Sequence, residues 1–246
     1  MTDASVSASL AKIWRVLTFR ASRKDFVRVN LTDFVVAMLF VWIAGIGRNW
    51  DHPDAEWWKN FGLGSVAYVF VLALLFYLVI RFAPGHRYPS YFQIVTFVAM
   101  TGPPALLYAI PVELIFPDPQ FRTANSINAI FLFFVAIWRL SLLAYFLSSM
   151  RISQAQAVYG VTVPIVLILL ILAMTDRTYM MLQLMGGFRH QPTPHDTEHE
   201  FVQLFTILSL LAGYLLIPAY LLHVVVAACE RFFRKRRARL QMPKEP

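Results

Sequence analysis

Six stretches of this sequence are apolar for nearly as long as a helix needs to cross a bilayer, and no other feature constrains the fold so tightly. About 20 apolar residues in helical form span about 30 Å of hydrocarbon. The stretches run over about 31–47, 62–80, 91–112, 127–147, 155–174 and 201–228. The first is short, and the third contains Gly102, Pro103, Pro104 and Pro111. Only 15% of the 246 residues are charged, against about 25% in an ordinary soluble domain. With 58% hydrophobic residues, disorder, a collagen-like repeat and a disulfide-stapled scaffold are excluded. The expected fold is all-α: a polytopic membrane protein with a bundle of six transmembrane helices. Residues 1–30 would form a basic leader, 31–228 the membrane domain and 229–246 a basic tail.

Charge supplies the orientation. The net charge is +8, and the basic residues crowd the ends: Lys12, Arg15, Arg20, Arg23, Lys24 and Arg28 at one, Arg231, Arg234, Lys235, Arg236, Arg237, Arg239 and Lys244 at the other. With six spans, Arg81, Arg87 and Arg151 join both ends on one side, whereas Arg48, Lys59, Arg122, Arg177 and Arg189 fall on the other. Short cytoplasmic loops carry the excess of Lys and Arg, so both termini are expected in the cytoplasm. Trp50, Trp57 and Trp58 beside the first outer loop and Tyr88 and Tyr91 beside the first inner one suit interfacial belts. The clustered cations point to anionic headgroups as partners. No aromatic stacking pattern accompanies them, so nucleic acid is not expected. Lean composition and short loops suggest a bacterial inner membrane.

In the leader, Leu10, Ile13, Trp14 and Leu17 recur at helical spacing with Lys12, Arg15 and Arg20 largely off that stripe. Such a stripe predicts an amphipathic helix lying on the cytoplasmic surface, or one docked on the protein's own spans. No small-x-small cleavage pattern follows the first apolar run, so that run reads as retained. The single cysteine, Cys229, forbids an internal disulfide and reads as a small buried hydrophobe. The stretch from Lys235 to Pro246 reads as a frayed tail.

Three places could carry chemistry. Thr101-Gly102-Pro103-Pro104 interrupts the third span, because proline lacks a donor and disfavours an α conformation in the residue before it. This predicts either a broken helix lining a polar site near the midplane, as in many transporters, or a packed kink repaired by Thr101 or a water. Arg139 lies inside the fourth span, about 12 Å from its cytoplasmic end at 1.5 Å per residue. A mid-helix arginine is uphill by about 2.5–3.5 kcal/mol and usually faces the bundle interior and pairs. Asp33 is its nearest carboxylate by depth, with an anion site or gating pair as the functional reading and a structural ion pair as the plain one. Asp33 also falls at the third helical position after a candidate cap, Asn30, where a carboxylate favours the helix dipole. The third place is the 190–200 segment. His195, Glu198 and His199, with His190, have metal-ligand spacing and match the H-x-x-E-H pattern, so zinc is the one cofactor to weigh. Thr197 and Glu200 account for the same letters as a capping box opening the sixth helix. His223 reads as a hydrogen-bonded packing residue. Gly62-Leu63-Gly64 opens a span, where close helix packing explains it.

The phosphate loop, nucleophile elbow and Cys-x-x-Cys pair are absent. Three functions follow. The first is a non-enzymatic scaffold, accessory subunit or lipid-associated factor packing with other membrane proteins or with itself. The second is a small carrier or channel for an anionic or polar solute, using the broken span and Arg139. The third is a metal-dependent intramembrane enzyme using the 190–200 loop.

Overall fold

The computed structural model describes residues 3–47, 50, 57–82, 88–115, 122–150, 152, 154–174 and 197–240. Among them every regular element is helical. The leader forms α1 (Asp3–Leu17) and the short α2 (Arg23–Val27). The bundle follows with α3 (Leu31–Gly47), α4 (Trp57–Asn60), α5 (Leu63–Phe82), α6 (Tyr91–Met100), a 3-10 helix (Pro103–Ala109), α7 (Val112–Ile115), α8 (Arg122–Ser149), α9 (Gln154–Met174) and α10 (Thr197–Leu240). Among the described residues three helices contain stretches long and apolar enough to cross a bilayer: Leu63–Phe82, Ser126–Ser149 and Thr206–Glu230. Helix α6 and the 3-10 helix make a fourth if they are one span bent by 41°. Helix α3 and the Gln156–Ile171 part of α9 are apolar but shorter. At 17 residues, α3 is about 25 Å long.

Local chemistry explains where the helices begin and stop. Asn30 caps α3: its side-chain oxygen accepts the Asp33 amide at 2.8 Å, and the Asp33 carboxylate accepts the Asn30 amide at 3.1 Å. Ser90 and Gln93 do the same for α6, at 3.2 and 2.9 Å. Such reciprocal pairs satisfy donors that the first helical turn leaves open. Helix α6 stops at Met100 because Pro103 and Pro104 bring no amide hydrogen to continue its ladder. The chain then tightens into a 3-10 turn with the prolines in its first two positions. At the other extreme α10 runs through Leu240. The tail expected to fray from Lys235 is therefore helical as far as that residue.

Helix α6 is the centre of the bundle. It is buried continuously from Ile94 to Met100, as expected of a helix apolar all round. Side chains of α1, α2, α3, α5 and α8 close around it. Phe26 of α2 reaches inward to Phe146 (centroids 5.2 Å apart) and Phe97 (6.0 Å), and Phe97 stacks on Phe146 at 4.3 Å. The leader is thus part of the core. Helix α1 docks on α3 through Ser9, Ile13, Val16 and Leu17, all buried, and leaves Leu10 and Trp14 exposed. The stripe read from the sequence shares only Ile13 and Leu17 with this face. The difference arises because Asp33 draws Ser9 and Lys12 toward the bundle.

Helices meet end to end in a consistent way. At one end Gly45 approaches the turn before α5 so closely that an added Cβ would lie 2.8 Å from the Gly62 carbonyl. Gly62 itself has φ +66°, a conformation glycine adopts without steric penalty. Trp42 Nε1 donates to the Phe61 carbonyl at 2.8 Å there, and Trp50 Nε1 to the Ala109 carbonyl at 3.0 Å. At the other end Gln93 Nε2 donates to the Val27 carbonyl at 3.1 Å, Tyr220 Oη to the Val79 carbonyl at 3.0 Å, and Tyr145 Oη to the Ala21 carbonyl. Helix α10 lies outermost and packs chiefly on α9.

Candidate functional site

The two anomalies of the apolar core, the Gly-Pro-Pro break and Arg139, come together. Arg139 Nε donates to Thr101 Oγ1 at 3.2 Å, and that hydroxyl donates to the Val98 carbonyl at 2.7 Å. The Thr101 and Gly102 amides bond back to Phe97 and Ala99 at 3.1 and 2.9 Å. Thr101 is 3% exposed. The hydroxyl therefore repairs a carbonyl of the interrupted ladder and also takes up one donor of the guanidinium. Arg139 is half-buried, and among the described residues no carboxylate pairs with it. An arginine has five donors, so this one keeps capacity for a further acceptor.

The surroundings of the break are closely filled. A Cβ on Gly102 would stand 2.6 Å from Val41 Cγ2 and 2.9 Å from the Ala99 carbonyl. Pro104 is buried in the same wall, and Pro103 is half-buried. Thr101, Gly102, Pro103, Pro104 and Arg139 thus form one cluster.

Asp33 does not join it. Its carboxylate, 1% exposed, accepts from Ser9 Oγ at 2.7 Å and from the Lys12 ammonium. Lys12 also donates to the Arg28 carbonyl at 3.0 Å. The pairing of Asp33 with Arg139 suggested by depth is replaced by this leader contact, because α1 carries a cation directly over the start of α3. Sequence reasoning missed Ser9 and Lys12. Their spacing of three, one helical turn, was the only signal.

Of the proposed zinc ligands, His190 and His195 lie outside the described residues. Glu198 and His199 fall in the first turn of α10, and their side chains lie outside the description as well. Among the described residues no group of three metal-ligating side chains comes together. His223 packs its ring 5.3 Å from Tyr159. Its Nε2 is screened and makes no hydrogen bond among the described residues, unlike the bonded histidine expected. Cys229 is exposed rather than buried, on a helix that among the described residues packs chiefly on α9.

Outside the bundle core, Asp25 is set between opposing influences. Partial burial raises its pKa, but the Arg15 guanidinium at 2.6 Å and the Ser22 amide and hydroxyl at 2.7 and 2.9 Å outweigh it and hold the carboxyl below the usual range.

Comparison with models of protein families, with curated proteins and with solved structures gives no match to this chain.

Proposed function

We propose that this is a six-span integral protein of a bacterial inner membrane, with both termini cytoplasmic. In this reading it works without catalysis, as a scaffold or accessory subunit that packs against membrane partners or a second copy. The alternating ends support the topology. The segments that six spans assign to the cytoplasm (the leader, residues 88–93, Met150 and Ile152) lie together, and Gly45, Gly62 and Ala109 gather at the opposite end. The exposed Leu10 and Trp14 suit a leader helix resting against headgroups.

One observation carries the function. Only 11% of the apolar stretch of α10 is buried, against 33% in α5, and Leu211, Tyr214, Leu215 and Leu222 all stand exposed. A span this bare has most of its surface left for another helix, while the filled surroundings of Gly102 leave little room for a solute. Photo-crosslinkers at Leu211 and Leu215 are expected to trap one discrete protein species, either a partner or a second copy. Capture of lipid alone would count against the reading.

Arg139 favours a second reading, a carrier for an anionic solute, because its charge is met only by a hydroxyl among the described residues. In that case solute flux into proteoliposomes would vanish in Arg139→Leu and persist in part in Arg139→Lys.

A further inference from the structure

A cavity of about 360 Å³ opens at the end of the bundle where the leader meets the loops, lined by Arg23, Val27, Tyr88, Pro89, Gln93, Met150 and Ile152. Its volume lies within the usual range for small-ligand sites, about 300–1,000 Å³. Four separate segments build it: α2, the turn before α6, the first turn of α6 and the chain leaving α8. Each is fixed by contacts elsewhere. Gln93 is held by Ser90 and by the Val27 carbonyl, and Met150 belongs to the hydrophobic core.

The wall has two characters. Val27, Pro89, Met150 and Ile152 make an apolar surface, and the exposed Arg23 is the cation of the lining. Arg81 does not line the cavity, but its guanidinium stands 5.0 Å from the centre of the ring of Tyr88, which does. Asp25, the acid nearest in sequence to Arg23, is already engaged by Arg15 and Ser22. Among the described residues no carboxylate pairs with Arg23 or Arg81. The lining therefore joins a cation to apolar side chains, at the level where α6 begins and α8 ends. Basic pockets between spans at the cytoplasmic face suit anionic lipid headgroups, and the planar guanidinium fork matches phosphate oxygens.

We propose that this cavity binds the phosphate of an anionic phospholipid of the cytoplasmic leaflet. The Arg23 guanidinium holds the phosphate, and Val27, Met150 and Ile152 receive the glycerol and the start of the acyl chains. This rests on the membrane topology proposed above. It deepens that reading by assigning the headgroup contact to one site rather than to the basic surface at large.

The test places the full chain in nanodiscs of phosphatidylcholine with a minor share of phosphatidylglycerol and counts the lipids it retains by native mass spectrometry. The wild type is expected to retain phosphatidylglycerol selectively. Arg23→Ala should weaken that retention about fivefold, near the worth of one surface cation at an anionic membrane. Val27→Trp, which fills part of the cavity without changing charge, should weaken it similarly. Lys24→Ala, which removes an adjacent cation outside the cavity, should weaken it clearly less than Arg23→Ala. Val27 and Arg23 are both exposed, so neither variant threatens folding. Equal losses in Arg23→Ala and Lys24→Ala, or no selectivity in the wild type, would overturn the site. Binding of free glycerol 3-phosphate as tightly as the lipid would overturn the lipid as its source. Extraction of the chain from membranes by alkaline carbonate would instead refute the underlying topology, so the two failures are distinguishable.

Discussion

At the scale of single residues, the bundle relies on polar groups placed where burial makes them expensive to disturb. Asp33 is almost fully enclosed and accepts from Ser9, Asn30 and Lys12. Removing one partner of a buried ion pair leaves an uncompensated charge, which typically costs about 3–5 kcal/mol. Two other donors remain on Asp33, so Lys12→Ala is expected at the low end, about 3 kcal/mol. The double variant Lys12→Met, Asp33→Asn should lose much less, because no charge is then stranded. Unfolding titrations in detergent would read the difference, and equal losses in both variants would contradict the ion-pair account. Gly102 makes a second case. Its φ of −70° and ψ of −40° are α-helical, a conformation that Pro103 disfavours in a preceding residue with a Cβ, so backbone and space both argue for glycine. Gly102→Ala should destabilise by about 1–3 kcal/mol through overpacking, and adding Val41→Ala should restore part of that loss. Independent, additive effects of the two changes would mean that Val41 does not set the limit.

At the scale of elements, what could be read from the sequence was what repeats along the chain, and what could not was pairing across it. Helix α3 spans the residues that its apolar run predicted. The interruption of the third apolar stretch falls at Thr101-Gly102, because proline chemistry is local. The docking face of α1 was misread for a physical reason. Its sequence carries apolar residues on two adjoining faces, and periodicity alone does not say which of them meets protein. The choice was made by Asp33, on another helix, through Ser9 and Lys12. Depth along one helix likewise matched Arg139 to Asp33, although its observed partner, Thr101, carries no charge and gave no electrostatic cue. Helix α2 shows how a five-residue element can persist. Phe26 anchors it, and Asp25 ties its first turn to Ser22 and to Arg15 of α1. The folded carboxyl of Asp25 titrates below its unfolded value of about 3.9. Its contribution to stability is therefore complete above that value and disappears as the pH falls through the folded pKa. Thermal melts should show wild type more stable than Asp25→Asn at pH 7, with the gap narrowing below about pH 4. A constant gap from pH 7 to 3 would assign Asp25 a purely steric role.

At the scale of the whole molecule, the densest packing surrounds α6, and the outermost helix carries the largest apolar face. That arrangement makes physical sense only if something apolar covers α10. A bilayer does so for any span, but it fixes neither the sidedness of the helix nor its neighbours. The single cysteine offers a direct way to determine sidedness. Cys229 is exposed and lies just before the cluster of cations from Arg231 to Arg239. With six spans and the cationic ends held inside, a membrane-impermeant maleimide should leave Cys229 unmodified in intact spheroplasts and modify it in inverted vesicles. Moving the thiol to the opposite end, as Trp50→Cys in a Cys229→Ser background, should reverse the pattern. The Trp50 side chain is exposed, and its indole bond to Ala109 is a single contact at the rim, so the bundle should tolerate the change. Labelling of both positions from the same side would require an odd number of crossings between residues 50 and 229 to become even. The bent pair of α6 and the 3-10 helix, or the short apolar part of α9 (Gln156–Ile171), would then be the first element to reassign from a crossing to a re-entrant segment. The bent pair holds its break together through Thr101 and Arg139, so Thr101→Val should alter the labelling only if that pair is the segment that fails to cross.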